Sequence, residues 1–179
     1  QILFSANGQK VVYKAIKQGR HFVVVNDKAG KFYEAINDLI VFSPDGKKVA
    51  YDGKRGGKEY LVIDGKEVMS YDNGDASAFS PDSRLLAYEM KDKEKWFVVV
   101  HDGEKEVYRS PAYPRSFRSP LFSPDGRLFF YELGDDNNRI VFFLDWLTKK
   151  IIKERLYADF TMAGKVSFSS NYLRVIYEA

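Results

Sequence analysis

An all-β fold of repeated units is predicted by three observations on this 179-residue sequence. One decapeptide pattern occurs three times, as FSPDGKKVAY at 42–51, FSPDSRLLAY at 79–88 and FSPDGRLFFY at 122–131. Aromatic residues form 16% of the chain, and flat rings suit the pleated surface of strands. Continuous apolar runs, such as HFVVV at 21–25, have the length of strands. Together these features predict a chain made of short strands.

The spacing of the repeat defines the unit. Five phenylalanines anchor its copies, at intervals of 38, 37, 43 and 46 residues: Phe4, Phe42, Phe79, Phe122 and Phe168. The outer copies, FSANGQKVVY at 4–13 and FSSNYLRVIY at 168–177, keep the Phe, the Ser and the closing Tyr but lack Pro-Asp. We interpret them as diverged copies of the same unit.

Each unit opens with a tight turn between its first two strands. Ser-Pro-Asp-Gly suits a type I turn, with proline at the second position and glycine free to adopt positive φ at the fourth. Pro44, Pro81 and Pro124 lie in these turns, where a missing amide costs no ladder bond. Ser83 stands where the other two full copies have glycine, and a left-handed conformation there costs about 1 kcal/mol.

A third and a fourth strand complete each unit. Apolar runs without alternation indicate third strands buried on both faces: 21–25, 59–63, 96–100 and 140–144. Asp64 and Asp102 then begin Asp-Gly turns into more polar fourth strands. Four-stranded units at a period of roughly 40 to 45 residues are typical of β-propeller blades, whereas a β-sandwich would show alternating strands and no such period.

The predicted fold is therefore a single β-propeller domain of four complete blades and the first hairpin of a fifth. Its blades lie at approximately 1–37, 38–74, 75–117 and 118–163, and the half-blade lies at 164–179. A half-blade leaves an unpaired strand edge, which propellers remove by pairing their first and last strands. We expect a fragment of a larger ring. Self-association into a composite ring, and a five-bladed ring completed by other residues, are the alternatives.

Composition limits the classes of partner. The net charge is only +3 and the basic residues are scattered among acidic ones, so nucleic acid is not an expected partner. No apolar run reaches the roughly 20 residues needed to cross a bilayer, so membrane insertion is not expected. The acidic loops at 71–75 and 134–138 lack the spaced ligands of a calcium loop. We therefore predict neither a metal nor a cofactor.

The sequence does not predict an enzyme. It has no Cys and no GxSxG nucleophile elbow. His21 opens a third strand, whereas His101 ends one, so the two histidines do not occupy equivalent positions in their units. We interpret both as structural.

The Phe-Ser-Pro-Asp-Gly pentapeptide at 42–46 and 122–126, followed by an apolar strand, resembles the WD-like repeats of the TolB-like propeller family. These repeats also build the amino-terminal propellers of prolyl oligopeptidases. The resemblance spans essentially the whole chain, and it implies a protein-interaction scaffold in the periplasm or at the cell envelope. A cytoplasmic location, an accessory or gating domain of a larger hydrolase, and a sensor domain for a small molecule or glycan are the alternatives.

Binding is expected on the face that carries the loops between second and third strands and the connections between blades. The opposite face carries short stereotyped turns with little freedom to specialise. The segment 108–120 stands out, because Tyr and Arg are enriched in interface hot spots and proline lowers the cost of ordering. A loop that folds its aromatic rings back over the blade edge is the alternative. The candidate residues for a protein or peptide partner are Tyr113, Arg115, Phe117, Arg118, Lys54, Arg55, Asp135 and Asp136.

Overall fold

The computed structural model describes residues 2–115, 117–134, 138–148, 150–158, 166–168 and 175–177. Within them the chain forms four antiparallel sheets of four strands and one sheet of two strands, and each sheet takes its strands in chain order. The all-β architecture of consecutive meanders is therefore confirmed.

The strands of the first two sheets are β1 (Ile2–Phe4), β2 (Val11–Lys17), β3 (Arg20–Val25), β4 (Lys28–Ala29), then β5 (Ala35–Phe42), β6 (Val49–Arg55), β7 (Lys58–Ile63) and β8 (Lys66–Tyr71). The next two sheets contain β9 (Asn73–Phe79), β10 (Leu86–Asp92), β11 (Lys95–His101), β12 (Glu106–Arg109), then β13 (Phe117–Phe122), β14 (Leu128–Gly134), β15 (Asn138–Asp145) and β16 (Lys150–Ala158). The last sheet pairs β17 (Val166–Phe168) with β18 (Val175–Tyr177).

The turn after each of β1, β5, β9 and β13 is held by one buried serine. In the second sheet the Ser43 hydroxyl donates to the carboxylate of Asp45 at 2.6 Å and accepts the amide of Lys48 at 2.8 Å. The same two bonds form around the serines of the other three turns, with hydroxyl-to-acceptor distances of 2.5–2.7 Å: Ser5, Ser80 and Ser123. All four serines are buried. The serine of the motif is therefore the centre of the turn.

Buried apolar side chains lie between consecutive sheets. Three clusters of buried residues each take side chains from two neighbouring sheets, and none is confined to one. Val62, Val99 and Val100, from the third strands β7 and β11, are fully buried. Face-to-face packing of successive sheets explains why these strands are apolar on both faces.

A tyrosine at or shortly after the end of the fourth strand links the first sheet to the second and the second to the third. Tyr33 and Tyr71 pair across the ladder with His21 and Glu59, the residues that start the apolar runs of the third strands. The Tyr71 ring stacks on Tyr88 of the following sheet, with centroids 6.1 Å apart. Its buried hydroxyl donates to the carboxylate of Asp52, which is itself buried.

Neighbouring turns are also bonded to each other. The amide side chain of Asn7 donates to the backbone oxygen of Asp45 at 2.7 Å, and the Asp45 amide donates to the Ser83 hydroxyl at 3.0 Å. Ser83 adopts the left-handed region with φ of 63°, as Gly46 and Gly126 do with φ of 71°. The predicted strain at Ser83 is therefore present, and its hydroxyl offsets part of that strain by joining the second sheet to the third.

We predict that two substitutions of Ser83 have different effects on stability. Ser83→Ala keeps the left-handed strain and loses the bond to Asp45, so it should lower the free energy of unfolding by about 1–2 kcal/mol. Ser83→Gly loses the same bond but relieves the strain, so it should change stability by less than about 0.5 kcal/mol. Urea denaturation of both variants measures the difference. Equal losses would contradict the role given to the backbone conformation.

Candidate functional site

A concavity lies on the face of the short turns, which we call the turn face. It is a cleft of about 810 Å³ that crosses the second, third and fourth sheets. Its lining residues come from turns and the strand ends beside them: Lys48, Ser80, Asp82, Arg84, Leu85, Asp102, Glu104, Val107, Asp125, Gly126, Arg127, Trp146 and Leu147. We call this the turn-face cleft. A volume of this size fits a segment of another molecule.

The aspartates of the cleft are already engaged by the turns that contain them. The Asp82 carboxylate accepts the Ser80 hydroxyl and the Arg84 amide. The Asp102 carboxylate accepts two backbone amides, from residues 104 and 105, and these bonds lower its pKa. Burial raises the pKa of Asp125, but hydrogen bonds from Ser123 and from the Arg127 amide outweigh it and lower that pKa overall. These three aspartate carboxylates therefore stabilise the turns that contain them.

The basic side chains of the cleft have fewer hydrogen-bond and ion-pair partners than its aspartates. Among the described residues, the side chains of Lys48 and Arg84 have no hydrogen-bond or ion-pair partner, and Arg127 approaches Asp145 only at 3.8 Å. Lys48 is half-buried and Arg84 is exposed. Glu104 is the one carboxylate of the lining whose side chain has no partner among the described residues, so two cations and one carboxylate of the cleft are available to a ligand.

An apolar wall closes one end of the cleft. The half-buried ring of Trp146 meets Phe122 and Phe129 edge-on, with centroids 6.1 and 6.4 Å apart. Leu147 beside it is 78% exposed, and the Asp145 carboxylate holds its backbone amide at 2.9 Å. An exposed leucine on a fixed turn beside a tryptophan is a suitable contact for an apolar side chain of a partner.

Sequence reasoning missed this cleft, because short turns were expected to leave little freedom. The sequence feature that could have revealed it is the turn between the third and fourth strands of the fourth sheet. Gly65 and Gly103 follow an Asp in the second and third sheets, whereas Trp146 and Leu147 follow Asp145. The substitution of glycine by two large apolar residues marks this turn as different from the repeat.

Two of the predicted binding residues lie in a strand and not in a loop. Lys54 and Arg55 end β6 and pair with Glu59 and Lys58, because the chain reverses at two glycines with positive φ, Gly56 and Gly57. The side chain of Arg55 is half-buried. It forms an ion pair with Glu67 at 3.1 Å and lies over the rings of Tyr33 and Tyr60. Arg55 therefore contributes to packing, and the expected loop position was wrong.

Tyr113 occupies the position of Tyr33 and Tyr71 in the third sheet. It pairs with Trp96 through backbone bonds of 2.8 and 3.0 Å, and its half-buried ring packs on Phe142 at 5.8 Å. Its ring is thus turned towards the following sheet, which corresponds to the alternative of an aromatic residue folded back over the blade edge.

The connection that carries Tyr113 is shorter than the predicted segment 108–120. β12 ends at Arg109 and β13 begins at Phe117, so only the residues between them connect the sheets. Arg115 is exposed in this connection. Phe117 and Arg118 begin β13, where they pair with Leu133 and Glu132. Asp135 and Asp136 lie outside the described residues.

Metal-binding clusters and membrane-spanning helices are both absent from the described part of the chain. No group of three or more His, Asp or Glu side chains is placed to hold a metal ion there. None of its segments is a helix long and apolar enough to cross a membrane.

No family model and no curated protein matches the sequence, whereas many solved structures match the fold. TolB from Acinetobacter baumannii is 17% identical, with 98% of this chain and 48% of that chain covered and a TM-score of 0.57. A putative TolB from Agrobacterium tumefaciens is 13% identical, with 98% and 78% covered and a TM-score of 0.60. A periplasmic gluconolactonase from Pseudomonas aeruginosa is 15% identical, with 98% and 61% covered and a TM-score of 0.54.

The chain has a TolB-like β-propeller fold. It spans about half the length of the first structures it matches. Likeness at this level of identity establishes the fold alone, and proteins with this fold include both TolB and a lactonase.

We predict a pH-dependent stability that originates beside the cleft. Burial lowers the pKa of His101, whose Nδ1 accepts the Gly103 amide at 2.9 Å. Because the folded-state pKa is lowered, protonation favours the unfolded chain. Stability is therefore retained above the ordinary pKa near 6.5 and lost as the pH falls towards the lowered value. The free energy of unfolding, measured by urea denaturation from about pH 7.5 to about pH 5, should decrease.

The His101→Gln variant should reduce this slope, because glutamine keeps an acceptor for Gly103 and does not titrate. His21→Gln, which changes a half-buried histidine in the first sheet, is the matched control. An unchanged slope in His101→Gln would contradict the assignment.

Proposed function

We propose that this chain is a non-enzymatic propeller module that binds a partner protein through the turn-face cleft. The observation that carries the proposal is the presence of two cations without an ion-pair partner among the described residues, Lys48 and Arg84, in the same cleft as exposed Leu147 and half-buried Trp146. The proposed ligand is an extended segment of the partner in which an apolar side chain is flanked by acidic residues.

The lining holds three basic and four acidic side chains, and the availability of these groups, not their net charge, favours an acidic segment over a basic one. Asp82, Asp102 and Asp125 accept hydrogen bonds from their own turns, so binding a cation would compete with bonds that hold the fold. Lys48 and Arg84 have no such bonds to lose. A partner carboxylate would gain a charge-assisted contact with them at little structural cost.

The shape of the cleft favours a peptide segment over a flat surface. The cleft crosses three consecutive sheets, and its apolar wall lies at one end, in the fourth sheet. An extended chain places successive side chains about 3.3 Å apart along its axis, so one segment can contact both the wall and the cations. Trp and Arg are residue types that often dominate binding energy in such contacts.

The chemistry of the turns supports a binding role over a catalytic one. Serine next to a carboxylate recurs in the repeat, but these hydroxyls are at most 4% exposed and each is engaged with the side chain two residues later. A buried hydroxyl that donates to its own turn is not available to attack a substrate. The resemblance of the repeats to TolB-like propellers also supports a protein-interaction role.

We predict that peptides selected for binding to this chain contain a large apolar residue flanked by Asp or Glu. The experiment is affinity selection from a random peptide display library, followed by fluorescence titration of the enriched peptides. Arg84→Glu and Leu147→Ala should each weaken binding by about tenfold, which corresponds to about 1.4 kcal/mol for one interface contact. Raising the ionic strength should also weaken it.

Arg115→Glu is the charge-matched control, because Arg115 lies in the connection between β12 and β13 and is absent from the lining of the cleft. Circular dichroism of each variant checks that the sheets are retained. Peptides that bind Leu147→Ala and Arg84→Glu normally but lose affinity for Arg115→Glu would contradict the proposed cleft. They would support the inter-blade connection instead.

A further inference from the structure

A second cavity lies between the first two sheets, beside the core cluster that they share, and is separate from the turn-face cleft. Its volume is about 690 Å³. Val23, Val25 and Val49 form apolar walls, and Tyr51 and Gly30 lie at the interface of the two sheets. A cavity of this size accommodates a small organic molecule.

The cavity exists because the fourth strand of the first sheet departs from the repeat. Tyr33 and Tyr71 occupy equivalent positions, and counting back from them, Gly30 corresponds to Val68 and Lys31 corresponds to Met69 in the second sheet. Val68 and Met69 pack on the core between the second and third sheets. Glycine in place of valine removes a side chain from the equivalent space between the first and second sheets.

The same difference from the repeat leaves the hydroxyl of Tyr51 without a hydrogen-bond partner in the described part of the chain. Tyr88 and Tyr131, the equivalent residues of the next two sheets, bond Met69 and Tyr108 of the preceding sheet, each at 3.0 Å. Tyr51 is 1% exposed, and among the described residues its hydroxyl makes no hydrogen bond. A buried hydroxyl left unbonded is costly, so a polar atom of a bound molecule would be well placed there.

The hydroxyl lies beside Gly30 in the wall of the cavity, and it is protonated. A β-carbon added to Gly30, which lines the cavity, would lie 3.2 Å from the Tyr51 hydroxyl oxygen. Burial, together with the negative charge of nearby Glu67, raises the pKa of Tyr51 to about 12, so the group is available as a hydrogen-bond donor at neutral pH.

The charged side chains in the lining are mainly basic. Lys10, Lys28 and Lys31 line the cavity together with one acidic residue, Asp64. Lys10 pairs with Asp64 at 3.4 Å and Lys31 with Glu67 at 3.0 Å. Lys28 has no ion-pair partner within the described residues. An anionic acceptor is therefore favoured over a cation.

We propose that this cavity is a binding site for a small carboxylate with an apolar body, whose carboxylate accepts the Tyr51 hydroxyl and whose apolar part packs on Val23, Val25 and Val49. This site is separate from the cleft assigned to a partner protein, so either assignment can fail without the other.

The test uses 3-phenylpropionate as the probe and 3-phenylpropanamide as its uncharged counterpart. Titration followed by amide chemical shifts should move the signals of residues 23–31 and 49–51, with a dissociation constant of about 1 mM or tighter. The amide should bind about tenfold more weakly, because the charge-assisted bond is lost. Tyr51→Phe should weaken binding of the acid by about tenfold, and Gly30→Ala, which places a methyl group against the hydroxyl, should abolish it.

Tyr88→Phe is the matched control and should bind normally, because that hydroxyl lies between the second and third sheets. Tyr51→Phe should also unfold at the same temperature as the original chain or higher, since it has no hydrogen bond to lose. Absence of binding, equal binding to Tyr51→Phe, or a marked loss of stability in that variant would each overturn the proposal.

Discussion

The arrangement of the sheets depends on one hydrogen-bonded unit, the buried serine in the turn between the first and second strands of each four-stranded sheet. Its hydroxyl donates to the side chain two residues later and accepts the amide five residues later, in all four turns. This fixes where the second strand begins and therefore which residues of that strand face the next sheet. Bonds from one turn to the next, such as Asn7 to Asp45 and Asp45 to Ser83, then set neighbouring sheets against each other.

Candidate binding features lie where the chain departs from this repeated unit. Trp146 and Leu147 replace the glycine of an Asp-Gly turn and give the turn-face cleft its apolar wall. Gly30 replaces a packed valine and opens the cavity beside Tyr51. Residues that follow the repeat, including the aspartates of the turns, form the hydrogen bonds and packing contacts that stabilise the fold. Specialisation therefore occurs without disturbing the scaffold.

The sequence predicted the strands and turns because their signals are local. The turn motif and the run of apolar residues in the third strand each depend on fewer than about ten residues. The position of Tyr113 was not predictable in the same way. It follows its partner Trp96 by 17 residues, whereas Tyr33 and Tyr71 follow theirs by 12, so the longer connection concealed the correspondence. The turn-face cleft forms only when three sheets pack side by side, and no local sequence pattern predicts that arrangement.

The central claim is that the serine-centred turns are rigid parts of the fold. Amide hydrogen exchange followed by NMR tests it most directly, at the four amides that bond a serine hydroxyl: Lys10, Lys48, Leu85 and Leu128. These amides lie at the ends of turns, but the account predicts protection comparable to that of central strand amides. Exchange at the rate of exposed loop amides would contradict it, because the sheets would then be positioned without the turn network.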